Sequence, residues 1–316
     1  MGCSCVSQGN SSFLKEDVEV YNLEESRKKE ASSADQDSVE PECFDQHFQL
    51  HELEVSPNEI VRIAEARAGP FLFDSNLSDS EATLERIANG CQYIGQKDEA
   101  GQRSGKGCFL WADGSKYIGH WSCGRANGRG RLIHADGDIY EGEWVDDEAH
   151  GQGCYTHFNG AKYEGGWLKD KQEGVGVETW PDGSEYKGQY KGGLKNGMGD
   201  FRWADKSRYL GEFKDNHING KGKYVWADGR AYDGNWKDNQ MHGEGKFTWP
   251  DGRAYTGHYV RDKKEGFGRF TWTNGRHFEG YWKDGKHHGE GVLVEAGGLV
   301  LKGVWSAGEL VRTESS

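Results

Sequence analysis

The chain repeats itself with a fixed period. From Tyr93 onward the pattern Y-x-G-x-W starts again at Tyr117, Tyr140, Tyr163, Tyr186, Tyr209, Tyr232, Tyr255 and Phe278, each start 23 residues after the last except for a first step of 24. A degenerate tenth start at Leu301, with Gly303 and Trp305, closes the series. Nine copies of a short unit leave few folds open. A unit too small to bury its own apolar face has to stack on its neighbours.

One copy, Tyr232–Ala254, has four glycines and four aromatics but no leucine, isoleucine or valine. Tyr232, Gly234 and Trp236 alternate, as do Tyr140, Gly142 and Trp144, and alternate residues of a strand share a face. A polar spacer of six residues after Trp236 reads as a loop. Gly243, Gly245, Phe247 and Trp249 then alternate again up to Asp251-Gly252. Asp-Gly between alternating runs predicts a hairpin turn, because glycine accepts the positive φ of tight turns. Glycine inside a strand marks close approach of another group. The expectation is that Gly243 and Gly245 admit the rings of a neighbouring repeat, which replace aliphatic side chains as buried apolar area. The fold class is therefore all-β: an elongated single-sheet solenoid of stacked antiparallel β-hairpins over residues 91–316.

Y-E-G-E-W at Tyr140–Trp144, followed by G-Q-G at Gly151–Gly153 and N-G at Asn159-Gly160, resembles the MORN repeat (membrane occupation and recognition nexus). The resemblance covers about residues 93–305. It departs at Lys97, which replaces the tryptophan of the first copy, at Lys206, which replaces a turn glycine, and at Leu301, which replaces the last tyrosine. Terminal copies of a repeat array are commonly atypical. The resemblance implies a scaffold that is not itself catalytic. Such arrays occur in junctional membrane, ciliary axonemal and apicomplexan cytoskeletal proteins, and as accessory domains of lipid kinases and of a lysine methyltransferase. It also implies protein partners, acidic phospholipids and homodimerisation.

The remainder of the chain has different physics. Residues 1–90 hold 7 Lys+Arg against 19 Asp+Glu and 4 of the 48 glycines, while all 12 tryptophans follow. Residues 1–54 read as a disordered acidic leader, too polar to form a core. The start, MGCSCVS, resembles that of an N-myristoylated and palmitoylated protein, with Gly2 as the myristate acceptor and Cys3 and Cys5 as thioester candidates. It departs in having Val6 where the motif has Ser or Thr. One myristoyl chain binds membranes only marginally, and the acidic leader is repelled by an anionic leaflet. A second acyl chain is thus the expected partner signal, placing the protein at the cytoplasmic face of a membrane. The alternatives are a soluble cytoskeletal or ciliary component and a regulatory subunit of a lipid kinase or methyltransferase. No apolar run reaches the ~18 residues of a spanning helix. Seven scattered cysteines fit a reducing compartment.

Residues 55–90 read as a short helical cap or linker. Ser56-Pro57-Asn58-Glu59 is a capping box with Val55 and Ile60 as a staple, and Gly69 a stop. Ser78 with Glu81 predicts a second helix, stopped by Gly90. Asp74, Asn76, Ser78 and Glu85 have calcium-loop spacing, but Asp79 occupies the place of the obligatory glycine.

Catalysis finds no support in the motifs. Gly101-x-x-x-Gly105-Lys106-Gly107 has neither the spacing nor the hydroxyl of a phosphate loop. His242, His287 and His288 fall in the spacer and are expected to be surface-loop residues. Cys108 and Cys154 are small strand residues, and Asp136, Asp182, Asp228 and Asp251 serve turns. No cofactor, metal or nucleic acid is expected, the array being close to neutral. The candidate binding residues are Lys191, Lys214 and Lys237, which share one repeat position, and the ring-lined face of the sheet.

Overall fold

The computed structural model describes residues 55–73 and 82–313. One α-helix, α1 (Glu59–Ala68), precedes twenty-one strands, β1 to β21 in chain order, which form one antiparallel sheet of hairpins. The chain divides into two compact units, the first running to Leu194 with Phe201–Ala204 added, the second comprising Lys195–Asp200 and Asp205 onward.

The hairpin of β14 (Ala231–Lys237) and β15 (Gln240–Thr248) explains the repeat. Tyr232 faces Phe247 and Gly234 faces Gly245 across the ladder, so all four lie on one face. The Tyr232 ring is fully buried and lies over both glycines. A Cβ on Gly234 would stand 2.5 Å from the Gly245 Cα and 2.7 Å from the Tyr232 hydroxyl, and a Cβ on Gly245 would strike the ring itself. The hydroxyl donates to the Asn235 carbonyl at 3.0 Å. The same bond to the residue three further on is made by Tyr93, Tyr117, Tyr140, Tyr163, Tyr186, Tyr209 and Tyr255. The ring over the glycines thus belongs to the glycines' own repeat, contrary to the expectation of a neighbour's ring. A tyrosine two residues before a strand glycine reaches that glycine along its own face.

Contact between repeats falls to the fifth residue. Trp236 meets Tyr232 edge-on at 5.0 Å and Tyr209 of the preceding repeat at 5.7 Å. Its indole N–H donates to the Gly222 carbonyl at 3.0 Å. In the first unit Trp144 does the same, between Tyr140 and Tyr117 and onto the Gly130 carbonyl. Edge-to-face pairs of this kind add ~1 kcal/mol each beyond area burial.

The six-residue spacer is not a loop. Lys237 pairs directly with Gln240, and Asp238 and Asn239 between them take φ of 48° and 65°. Two successive left-handed residues make the type I′ turn that matches strand twist. Asp146-Asp147, Lys169-Asp170, Asp215-Asn216 and Arg261-Asp262 repeat it. Asp and Asn tolerate this region better than other residues with side chains. Beyond the turn β15 carries a bulge, where the register slips between Gly234 and Trp236 and Gly243 takes φ of +67°. Gly243 therefore serves the bulge, not a neighbour's ring. Asp251-Gly252 does turn the chain as expected. Gly252, at φ +93°, donates to the Trp249 carbonyl at 3.0 Å, and the Asp251 carboxylate accepts the Arg253 N–H at 3.1 Å.

In the leader, the helix cap lies two residues later than the capping box implies. The Asn58 side chain caps α1 by accepting from the Ile60 N–H, while Ser56 donates to the Gly114 carbonyl at 2.8 Å. Asn58 also donates to the Ala135 carbonyl at 2.9 Å, so both residues tie the helix start to repeat loops. Val55 and Ile60 stay exposed and form no staple. Gly69 ends the helix at φ 72°. Val61 and Ala64 bury against Ile133, with Ile139 alongside. Among the described residues the second helix is reduced to a single 3-10 turn, Ala88–Gly90. Thr83–Arg86 is strand β1, paired antiparallel with β2 (Gln92–Lys97). The unpaired backbone at the first edge of the array outweighs local helix signals there.

Candidate binding surfaces

The repeat construction uses its tyrosines, glycines and Asx residues for stability, so any binding surface is left to the variable exposed positions. The proposed acyl acceptors Gly2, Cys3 and Cys5 lie outside the described residues, as do Asp74, Asn76 and Ser78. Glu85 of the calcium-like set sits in β1, 3.1 Å from Lys97. The lysine that replaces the first tryptophan therefore pairs with the capping strand.

Lys191, Lys214 and Lys237 each end the first strand of a hairpin, exposed, immediately before the type I′ turn. Gly192, Asp215 and Asp238 follow them. Asp215 and Asp238 accept from the Asn196 and Asn219 amides at 3.1 and 3.3 Å. These acids are committed to the preceding repeat. Within the second unit Lys214 and Lys237 stand one repeat apart, ~10 Å by strand spacing.

The polar face of the first unit carries a groove of about 790 Å³ between α1 and the sheet. Arg131 lines it, bonded to the Gly69 carbonyl at 2.6 Å and paired with Glu141 at 2.7 Å. Lys162 and Glu164 pair on its floor at 3.1 Å. Arg67 lies over the Phe158 ring at 4.7 Å on its wall. Cys154 faces the groove, its thiol pushed up by burial. Cys108, fully buried, is pushed up to about 12 by the same cause. Neither is an activated nucleophile.

On the aromatic face of the second unit, arginines lie over indoles at the loop ends. Arg230 is 5.6 Å from the Trp226 ring centre, Arg253 5.4 Å from Trp249 and Arg276 4.7 Å from Trp272. Sequence reasoning passed over these arginines, although Arg230, Arg253 and Arg276 recur at one repeat position directly after the turn glycine. His287 is likewise not a loop residue. It lies in β19 (Lys286–Val294), stacked on Phe278 at 3.8 Å, and burial pulls it down to about 4. The spacer that holds it is strand, which turns its side chain onto the rings.

Asp138 accepts from Tyr155 at 2.9 Å, binds His157 at 2.8 Å and accepts the Phe158 N–H at 2.8 Å. Although burial opposes ionisation, the hydrogen bonds from His157 and Phe158 hold its carboxyl below the usual range. Its acceptor positions are occupied in holding a loop. Among the described residues no group of three or more His, Cys, Asp or Glu could hold a metal ion. No helix among them is long and apolar enough to cross a membrane.

Fold and surfaces together define a tandem β-hairpin array with an appended capping segment. The family model of the MORN repeat matches residues 93–116, 117–139, 140–162, 163–185, 186–208, 209–229, 232–252, 255–275 and 278–298. The chain belongs to the MORN-repeat family, whose repeats are binding modules without catalytic function. No curated protein matches it by sequence. Among solved structures it is similar to the TCP10 domain of Danio rerio CPAP in complex with a peptide of Danio rerio STIL, at 12% identity and TM-score 0.37, covering 75% of this chain and 100% of that one. The G-box domain of the microcephaly protein CPAP follows at 12% identity and TM-score 0.25, with coverage of 71% and 99%. A streptogramin B lyase matches at 10% identity and TM-score 0.17, with coverage of 74% and 86%. At these TM-scores the likenesses bear on neither fold nor function.

Proposed function

We propose that this protein is a scaffold anchored to the cytoplasmic face of a membrane by acyl chains on Gly2 and on Cys3 or Cys5, with an array that recruits proteins and acidic phospholipids. The carrying observation is the division of labour within the repeat. Tyr232, Gly234, Trp236, Gly245 and their equivalents are consumed by packing, while residues such as Lys191, Lys214 and Lys237 are exposed at repeated positions. Surfaces built from variable positions on a regular frame are how repeat proteins bind. The MGCSC start supplies the anchor and the acidic leader the tether.

Metabolic labelling with myristate and palmitate analogues, combined with fractionation, tests the reading. The unaltered chain partitions with membranes and takes up both labels. Gly2→Ala and the double variant Cys3→Ser/Cys5→Ser become soluble. A Gly2→Ala chain that stays on membranes removes myristate as the anchor. An acetylated or unmodified native N-terminus favours a soluble cytoskeletal component.

A further inference from the structure

The tenth residue of each repeat, counted from its opening aromatic residue, follows the hairpin turn, and in the second unit Lys195, Ile218, Met241, Lys264 and His287 hold this position in successive repeats. Lys264 is the second residue of β17 (Lys263–Thr271) and faces Tyr259. Its ammonium nitrogen lies 4.6 Å from the centre of the Phe270 ring, 4.8 Å from Trp282, 5.1 Å from Tyr255 and 5.5 Å from Trp249. These four rings come from three strands and a loop. The charged group facing it is Arg253, which opposes a positive charge there, while the His287 ring beside it is held neutral by burial. No carboxylate pairs with it among the described residues.

A primary ammonium is poorly matched to this chamber. It carries three donors that need acceptors, and ring faces are weak ones. Burial accordingly pulls the amine down to about 8. A C–N bond of ~1.5 Å aimed from the nitrogen at one of these rings would bring its methyl carbon to within ~3–4 Å of that ring's centre, which is carbon–carbon contact distance. Aromatic boxes of this kind are the established recognition device for methylated ammonium groups, whose charge is spread and whose donors are removed.

We propose that Lys264 is a site of ε-N-methylation, with its methylated ammonium held in the cage of Trp249, Tyr255, Phe270 and Trp282. The methyl group comes from a sulfonium donor on a separate methyltransferase. The lone pair of the neutral amine attacks the methyl carbon, the carbon–sulfur bond breaks, and sulfur leaves with the bonding pair as a thioether. The proton on nitrogen is released to solvent. Lys264 is the second residue of its strand, two residues beyond the turn Arg261-Asp262 and next to the hairpin tip. Its neighbour Lys263 is exposed and paired with Asp284 at 2.9 Å. Lys263 lacks the cage and is the internal control.

Two measurements on the full chain test the proposal. Peptide mass mapping of protein purified from the cells that make it gives one to three methyl groups on Lys264 and none on Lys263. Unmodified Lys264 overturns the assignment. Reductive methylation with ¹³C-formaldehyde then reports the cage. The dimethyl-Lys264 resonance, identified by its loss in Lys264→Arg, falls upfield of the exposed lysines because the ring faces shield it. Phe270→Leu moves it toward them, and the fold tolerates that change because Leu132 and Leu293 occupy the equivalent position. A Lys264 signal at the exposed position in the unaltered chain overturns the cage.

Discussion

The side-chain carbonyl of Asn239 accepts the backbone N–H of Ile218, one repeat earlier, at 2.7 Å. The Asn239 N–H in turn donates to the Ile218 carbonyl at 3.0 Å. One turn residue therefore closes its own hairpin and fastens it to the one before. Asp147 and Asp170 hold Ala126 and Ala149 in the same way at 2.7 Å, as Asp262 holds Met241. In a linear array, where each repeat touches only its neighbours, such a bond acts on the interface term that sets cooperativity.

Two substitutions separate the roles of Asn239. Asn239→Gly keeps the left-handed backbone and loses the side-chain bond, costing ~1–2 kcal/mol. Asn239→Ala loses the bond and also the amide that lets Asn tolerate the left-handed region, adding ~1 kcal/mol at positive φ. Urea unfolding orders them unaltered chain, Gly, Ala. Amide exchange at Ile218 accelerates in both variants. Equal stability of the two variants would show that the turn conformation carries no cost.

Gly245 and Gly252 are both glycines of one repeat, yet they tolerate a methyl group differently. A Cβ on Gly245 enters the buried Tyr232 ring, whereas at Gly252 the nearest atom is the Thr273 methyl at 3.9 Å. Gly245→Ala should cost ~3 kcal/mol or more, since neither ring nor facing backbone can withdraw. Gly252→Ala pays only for its φ of +93°, ~1 kcal/mol. Thermal unfolding that ranks Gly252→Ala as the more damaging change is incompatible with the ring-on-glycine packing.

The strands were legible in the sequence because the period fixes which residues share a face, and the pairing of Tyr232 with Phe247 and Gly234 with Gly245 follows that alternation. The hairpin tip was not. Asp238-Asn239 performs the turn that Asn-Gly usually announces, and a polar run around it hid the first residues of strands such as β15, Gln240 to His242, inside a supposed loop. The Lys264 and His287 chambers were lost for the same reason, since residues assigned to a loop have no face. Ser78 and Glu81 announced a helix by local chemistry, but Thr83–Arg86 answers to the open edge of β2, a partner distant from any capping signal. Of the candidate binding residues, the exposure of Lys191, Lys214 and Lys237 followed from their place in the period. The groove beneath α1 did not, because it depends on where the helix docks.

Lys206 stands where the other repeats have a turn glycine and takes φ of 73°. The Asp205 carboxylate accepts the Ser207 N–H and hydroxyl at 2.8 and 2.6 Å, so the turn is held in spite of its lysine. Lys206→Gly should raise stability by up to ~1 kcal/mol, the relief of the left-handed penalty less the greater freedom of glycine in the unfolded chain. A fall in melting temperature would mean that the lysine side chain makes a compensating contact.

His287 should make the last repeats acid-sensitive. Burial on Phe278, with Lys264 and Arg276 nearby, lowers its folded value to about 4 from the ordinary 6.5. Between these values the unfolded chain binds the proton and the folded chain does not, so stability rises with pH across that window. Above pH 6.5 neither state is protonated and no penalty applies. As pH falls from 6.5 through 4 the penalty grows, to an order of 3 kcal/mol when both states are charged. Methionine occupies the equivalent chamber at Met241, so His287→Met removes the titration while filling the space. The difference in unfolding free energy between the two chains, followed from pH 7 to pH 4, should shift progressively in favour of the variant. A difference independent of pH would place the His287 imidazole in water, not against Phe278.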